Sequence, residues 1–283
     1  MDYRLRPVRR RSRGSIPQRI HRRRHLGRPG GVSAMSEDRV MVVTGASSGL
    51  GAEVCEHFAL KGYRVAMNYL IEPEAQATYD RIAASVGSAD RLMKVQADVA
   101  NREQVRAMFD AVIERFGQVD ILINFAGINR DAPFTELTDD MWDSVVSAHL
   151  RGHFVCGQEF LFHNPDRPGV IINLGAACGQ IGRKNGANFC SAKGGVIALT
   201  KCMAQELSPR IRVNCLVPGS VRTREVIDRY HLETEEGLAK ELATLPMGRL
   251  GEFEDITRMV DCMIGSEFTT GATFYANGGQ YMH

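Results

Sequence analysis

The sequence predicts an α/β fold: a doubly wound sheet of seven parallel strands in a single domain. From Arg39 onward, short β-rich runs alternate with longer helical patterns, the rhythm of a parallel sheet covered by helices on both faces. A glycine-rich turn, "TGASSGLG" (Thr44 to Gly51), joins the first hydrophobic run to the first helical pattern. With 283 residues, 44% of them hydrophobic, the chain can bury the core such a sheet needs.

The first strand is "RVMVVTGA" (39–46), followed by a helix near 50–61. "YRVAMNYL" (63–70) leads to a helix near 73–86, and "RLMKVQADV" (91–99) to one near 101–116. "VDILINFAG" (119–127) precedes a long fourth helix, 139–163, which Thr138 and Asp139 can cap. "GVIINLGA" (169–176) precedes the fifth helix, 188–208, closed by Ser208 and Pro209. After "IRVNCLVPG" (211–219) the rhythm breaks: 220–248 is polar, charged and helical up to Pro246. It reads as an insertion over the strand ends, a substrate lid or a solvated connection. A helix near 252–265 and the strand "ATFYANGG" (272–279) complete the sheet, and no internal repeat is visible.

Composition excludes several function classes. The net charge of +2 hides an asymmetry, because residues 1–34 hold 11 arginines and one acid, Asp2. Without them 24 basic residues face 32 acidic ones, a net charge of −8. An acidic body argues against a nucleic-acid-binding fold. The Arg-rich leader fits a transit peptide or an arm for anionic partners. Met35 and the following "SEDRVMVVTGA" favour a different reading, a disordered extension ahead of an internal start, with the folded domain spanning 35–283. The seven cysteines (Cys55, Cys156, Cys178, Cys190, Cys202, Cys215, Cys262) show neither metal-site pairs nor a disulfide framework, which fits the reducing cytoplasm and predicts no metal. No stretch approaches the roughly 18 apolar residues of a membrane span.

The turn "TGASSGLG" has the context that a phosphate-binding loop requires, strand before and helix after. Gly45 permits the tight turn, Gly49 lets backbone N–H groups approach a pyrophosphate, and Gly51 lets the helix pack closely. The helix N-terminus then faces the anion. A glycine turn alone also fits a purely structural role, so the other segments decide.

Those segments are "NFAG" (Asn124 to Gly127), "FCSAK" (Phe189 to Lys193), "PGSVRT" (Pro218 to Thr223) and the ending "TGATFYANGGQYM". In this order and spacing the chain resembles the short-chain dehydrogenases/reductases from Arg39 to the C-terminus, with a Rossmann-type sheet. "AGINRDAPF", "MGRLGEFEDI" and "NGGQYM" are most similar to 3-oxoacyl-ACP and acetoacetyl-CoA reductases. The resemblance implies that Gly45, Ala46, Ser47, Ser48, Gly49, Leu50 and Gly51 line the coenzyme phosphates. It further implies that Asn68 and Tyr69 end the second strand at the coenzyme, Asp98 and Val99 touch adenine, and Asn124, Ala126 and Gly127 border the ribose. Lys193 would grip the nicotinamide ribose; Pro218, Gly219, Val221 and Thr223 would flank the nicotinamide, the last two at its carboxamide. At the second strand's end, "MNYL" (Met67 to Leu70), no acid stands to accept a ribose 2′-hydroxyl and repel a 2′-phosphate. No arginine is obvious there either, and Ser48 occupies a position often basic in NADP-preferring relatives. The coenzyme expected is NADP(H) rather than NAD(H).

In this family a tyrosine protonates the carbonyl oxygen, a serine holds it, a lysine lowers the tyrosine pKa, and an asparagine one helix away completes a proton relay. Matching "ANFCSAK" to the Tyr-x-x-x-Lys element puts Phe189 at the tyrosine and keeps Lys193. Ala176 in "NLGAACG" stands at the serine, and His149 in "SVVSAHLRGHF" at the asparagine. Tyr to Phe and Ser to Ala each remove a hydroxyl while keeping most of the side-chain shape. Losing a general acid costs about 10² to 10⁴ in rate. His149 is the first candidate to replace it, since imidazole titrates near neutrality, although a histidine on a helix is more often structural. Cys178 and Cys190 read as packing residues, and Ser191, His153 and Tyr275 are weaker candidates.

Three functions fit. The first is a reductase with substrate-assisted chemistry on a quinone, an extended enone or a polyketide-type ketone, small or carrier-bound. The second has abandoned redox chemistry for a cyclisation, elimination or rearrangement. The third is a catalytically inactive subunit that supports an active paralogue. Relatives assemble as tetramers through the two long helices and the last strand, so the resemblance implies a homotetramer or a hetero-oligomer.

Overall fold

The computed structural model describes residues 39–282, and the Arg-rich extension lies outside them. Seven strands form one sheet: β1 Val40–Thr44, β2 Arg64–Tyr69, β3 Leu92–Gln96, β4 Ile121–Asn124, β5 Gly169–Leu174, β6 Ile211–Pro218 and β7 Thr273–Ala276. All pairs are parallel, in the order β3-β2-β1-β4-β5-β6-β7. Each strand lies inside the run expected for it. The helices are α1 Gly49–Leu60, α2 Glu74–Val86, α3 Arg102–Phe116, α4 Asp139–Val146, α5 Gly152–His163, α6 Cys178–Ile181, α7 Ala187–Leu207, α8 Arg224–Tyr230, α9 Glu235–Leu242 and α10 Phe253–Gly265.

Sequence alternation builds two cores from one sheet. β1, "VMVVT", is buried at every position, as a strand covered on both faces must be. Met41 and Val43 join Val54 and Phe58 of α1, Ile82 of α2 and Val260 of α10. Val40 and Val42 join Phe109 and Val112 of α3, Val155 and Phe160 of α5 and Ala204 of α7. Successive side chains on a strand point to opposite faces, so one run of five residues anchors both layers.

The fourth helix differs from expectation. Thr138 caps α4 by accepting the Met141 N–H at 3.2 Å, whereas Asp139 is the first helical residue and lends its charge to the first turn. The segment 139–163 is then interrupted at Ser147–Arg151 by a turn of π-helix. Such wide turns insert an extra residue and are frequent at functional sites. This one carries His149, which with His153 is buried. Periodicity alone does not reveal a one-residue insertion. At the other long helix, Ser208 ends α7, its hydroxyl donating to the Ala204 carbonyl at 2.7 Å.

Strand order reverses between β1 and β4, and that opens a crevice at their C-terminal ends. Thr44, buried at the tip of β1, accepts the backbone N–H of Phe125 at 3.0 Å and of Ala126 at 3.1 Å. The insertion 220–248 holds α8 and α9 around Leu232, Leu245 and Leu250. It is tied to the C-terminal tail through Gln280, which donates to Glu241 at 2.9 Å.

Replacing Thr44 with valine leaves two donors without their acceptor. The expected cost is about 2–4 kcal/mol of unfolding free energy, read from urea denaturation.

Candidate active site

The glycine turn at the tip of β1 is shaped by close backbone approach. A Cβ on Gly45 would lie 2.7 Å from the Ala126 Cα, and one on Gly51 would lie 2.3 Å from the Gly45 carbonyl oxygen. Gly45 and Gly49 adopt φ of +65° and +55°, the left-handed region that glycine enters freely. Beside Gly49 there is open space, as a bound phosphate would need. Ser48 begins α1 with its hydroxyl making no capping bond. The turn is held from outside by the Thr78 hydroxyl of α2, which donates to the Ser47 carbonyl at 2.6 Å. These features fit a dinucleotide diphosphate on the N-terminus of α1.

A cleft of about 550 Å³ runs from this turn across the sheet to α8. Gly45, Ser48, Gly49, Leu50, Gly51, Gly127, Lys193, Pro218, Gly219, Val221 and Thr223 line it, together with His149, Ala176 and Phe189. Other expected coenzyme residues act behind the wall. Asn68 turns into the sheet, donating to the Ala97 carbonyl at 3.0 Å, and Asn124 donates to Asn173 at 3.0 Å. Ala46 is buried and donates its N–H to the Asn68 carbonyl. Ala126 shapes the turn through its Cα, and Tyr69 is nearly buried at the end of β2. Asp98 spends a carboxylate oxygen on the Ala100 N–H, and Val99 packs against Gly152. The side-chain amides of Asn68 and Asn124 thus donate to internal acceptors that hold the strand ends.

At the reaction end, Phe189 sits where a proton-donating tyrosine was sought, one turn ahead of Lys193 on α7. Its ring has the Lys193 ammonium 5.6 Å from its centroid, the Arg183 guanidinium at 5.3 Å, and the His149 ring edge-on at 5.0 Å. Lys193 is buried and donates to the Leu174 carbonyl at 2.6 Å. Burial pushes its pKa down to about 8. Ala176 stands across the cleft with no hydroxyl to offer.

The expectation that His149 replaces the lost acid meets a physical obstacle. Nε2 lies 2.8 Å from the Ile128 carbonyl, an acceptor only, so the ring proton resides on Nε2 and is already given. Nδ1 is buried and unpartnered, carrying a lone pair. Burial and then the Lys193 charge push the imidazole down to about 3, so at neutral pH it has no second proton. His153, one turn on, is driven the same way, by burial first. Cys178 lines the cleft, but burial and the adjacent Cys190 raise its thiol to about 12, which leaves it protonated and unreactive. The Tyr275 hydroxyl donates to Gln180 at 2.7 Å, and Ser191 is exposed on α7 outside the cleft wall.

The cleft's charged wall was missed from sequence. Asp131 takes both terminal nitrogens of Arg183 at 2.9 Å and one of Arg229 at 2.6 Å. Glu225 of α8 accepts from Arg229 at 2.6 Å and from Asn129 at 3.1 Å, and burial raises its carboxyl above the usual range. These residues come from two separate loops and from α8, so no spacing joined them. The run "TREVIDRY" did mark α8, with Thr223 as its cap, accepting the Val226 N–H.

Comparison with known proteins bears on this arrangement. Residues 45–281 match the family model described as enoyl-(acyl carrier protein) reductase. The chain is 36% identical over 253 residues to the 3-oxoacyl-[acyl-carrier-protein] reductase FabG of Staphylococcus aureus, covering 88% of this chain and 100% of that protein. The chain belongs to the short-chain dehydrogenase/reductase family. Within it, similarity extends to 3beta-hydroxysteroid dehydrogenase 1 of Eggerthella lenta, 35% identical over 251 residues, covering 87% of this chain and 94% of that one. A short-chain dehydrogenase/reductase from Brucella melitensis, described as glucose/ribitol dehydrogenase, superposes with a TM-score of 0.79 at 29% identity, covering 87% and 98% of the two chains. The family's α/β fold with its seven-stranded parallel sheet is thus shared. Among the described residues no helix is long and apolar enough to cross a membrane, and no cluster of metal-ligating side chains occurs.

The Lys193 ammonium supplies a pH test. Its folded pKa lies below the ordinary lysine value, so the charge is present below about 8 and lost above it. Coenzyme affinity, measured by fluorescence titration, is expected to hold from pH 6 to 7.5 and to weaken as pH passes 8. The Lys193→Met variant is expected to bind more weakly at low pH and to show no such step.

Proposed function

We propose that this chain is a pyridine-nucleotide-dependent carbonyl reductase of atypical site, acting on quinones, extended enones or polyphenolic polyketide-type ketones whose reduced anion is delocalised. The observation that carries the reading is the surround of Phe189: two cations and a neutral imidazole, with no hydroxyl at positions 189 and 176, beside an intact phosphate turn. A reduced nicotinamide, when bound, supplies hydride. Lys193 and Arg183 hold positive charge beside the ring, where an oxyanion gains most in a low-dielectric cleft. Phe189 fills the volume of the missing phenol and keeps water from that wall. His149 keeps its single ring proton on the Ile128 carbonyl and gives none.

These groups stabilise a negative oxygen, while the phenol and hydroxyl that deliver a proton in the family are missing from positions 189 and 176. A simple 3-oxoacyl thioester gives a localised alkoxide that needs a proton at once, whereas a hydroquinone or enolate anion waits for solvent. NADP(H) and NAD(H) carry the same hydride and differ only at the adenosine ribose. What β2 offers for NADP(H) is only the absence of an acid in "MNYL". Assembly as a homotetramer or with an active paralogue is the accompanying proposal.

The test supplies both reduced coenzymes with a carbonyl panel and follows coenzyme absorbance. Oxidation with a naphthoquinone and none with a 3-oxoacyl thioester is expected. Thioester reduction near an ordinary enzymatic rate, about 10 per second, would defeat the reading. Coenzyme binding without turnover of any carbonyl would favour the supporting-subunit function. The double substitution Phe189→Tyr, Ala176→Ser restores a phenol beside Lys193 and is expected to raise thioester reduction by about 10² or more. No gain despite retained coenzyme binding counts against the separation of cradle from proton donor.

A further inference from the structure

The end of the cleft at the glycine turn carries a charge pattern that the strand sequence did not disclose. Glu74, the first residue of α2, lines the cleft beside Ser48 and Gly49. It lies one helical turn before Thr78, whose hydroxyl holds the Ser47 carbonyl, so the same face of α2 overhangs the glycine turn. The N-terminus of a helix favours an anion, and Glu74 already provides it. Two residues earlier, Glu72 takes the Lys94 ammonium at 2.6 Å and also the Tyr69 hydroxyl. Lys94, which β3 places 5.4 Å from the Tyr69 ring centroid, is thereby neutralised. Hydrogen bonds from Lys94 and Tyr69 hold the Glu72 carboxyl below the usual range, so it stays ionised.

We infer that the adenosine pocket is built for a free ribose 2′-hydroxyl, with Glu74 repelling a 2′-phosphate and Glu72 withholding Lys94 from it, so that this chain takes NAD(H) in preference to NADP(H). The inference rests on the coenzyme-dependent function proposed above and reverses the preference expected from "MNYL". Among the described residues, the cations lining the cleft are Arg183, Lys193, Arg224 and Arg229. All follow β5 or β6 in the chain, on the far side of β1 and β4 from the end of β2. Strand spacing separates β2 from β5 by roughly 14 Å, beyond the Debye length in physiological salt. Arg183 and Arg229 are moreover matched by Asp131, and Arg224 by Asp228 and Glu233. A 2′-phosphate would meet an uncharged Ser48, the Glu74 carboxylate and a lysine already paired. A 2′-hydroxyl is a donor that a carboxylate accepts.

The test is equilibrium titration of the full chain with NADH and with NADPH at low ionic strength, read by reduced-nicotinamide fluorescence without substrate. A Kd for NADPH at least about tenfold above that for NADH is expected. Glu74→Gln and Glu72→Ser, both at exposed positions, are each expected to tighten NADPH severalfold; Glu72→Ser leaves NADH within about threefold, whereas Glu74→Gln weakens it, and both narrow the gap. NADPH binding as tight as NADH overturns the inference and leaves the reductase reading standing, as does a gap unmoved by both substitutions. Failure of both coenzymes to bind the folded wild-type chain overturns the inference and the reductase reading together.

Discussion

The burial of one ammonium governs the reaction end of this molecule. Lys193 sits beside Phe189 and donates a hydrogen bond to one backbone carbonyl, that of Leu174. An unneutralised charge in a low-dielectric interior acts on every titratable group nearby. It helps hold His149 and His153 neutral, and it polarises the face of the Phe189 ring. In a relative with tyrosine at this position the same ammonium would favour a phenolate. Here it has no acid to tune, and the field remains for whatever anion the cleft receives.

The groups that would hold a dinucleotide and those that would deliver a proton are separate in this fold. The first depends on backbone geometry: Gly45 against Ala126, Gly51 against the Gly45 carbonyl, and Thr44 tying the two strand tips. None of that involves a reactive side chain. The second depends on hydroxyl groups that Phe189 and Ala176 lack. A fold can lose such hydroxyls with little disturbance because each replacement keeps most of the original volume.

Sequence reading recovered the sheet almost entirely, since strands buried on both faces announce themselves as continuous apolar runs such as "VMVVT" and "GVIINL". The glycine turn and the vacated pair were equally legible, because each lies within a short contiguous motif. The π-turn at Ser147–Arg151 was not, since one extra residue in a helix leaves no mark in the hydrophobic pattern. His149 looked like a proton donor until its hydrogen-bond partner was known. The Arg183–Asp131–Arg229 wall and the Glu72–Lys94 pair join residues dozens of positions apart, and only the folded chain brings them together.

Asp131 serves two arginines from different segments, one on the wall beside Phe189 and one on α8. Swinging α8 outward to admit a guest would strip Arg229 from that carboxylate and leave it to Arg183 alone. Access past α8 and the charge partner of Arg183 therefore share one carboxylate: any guest that displaced the helix would also change which cation Asp131 neutralises.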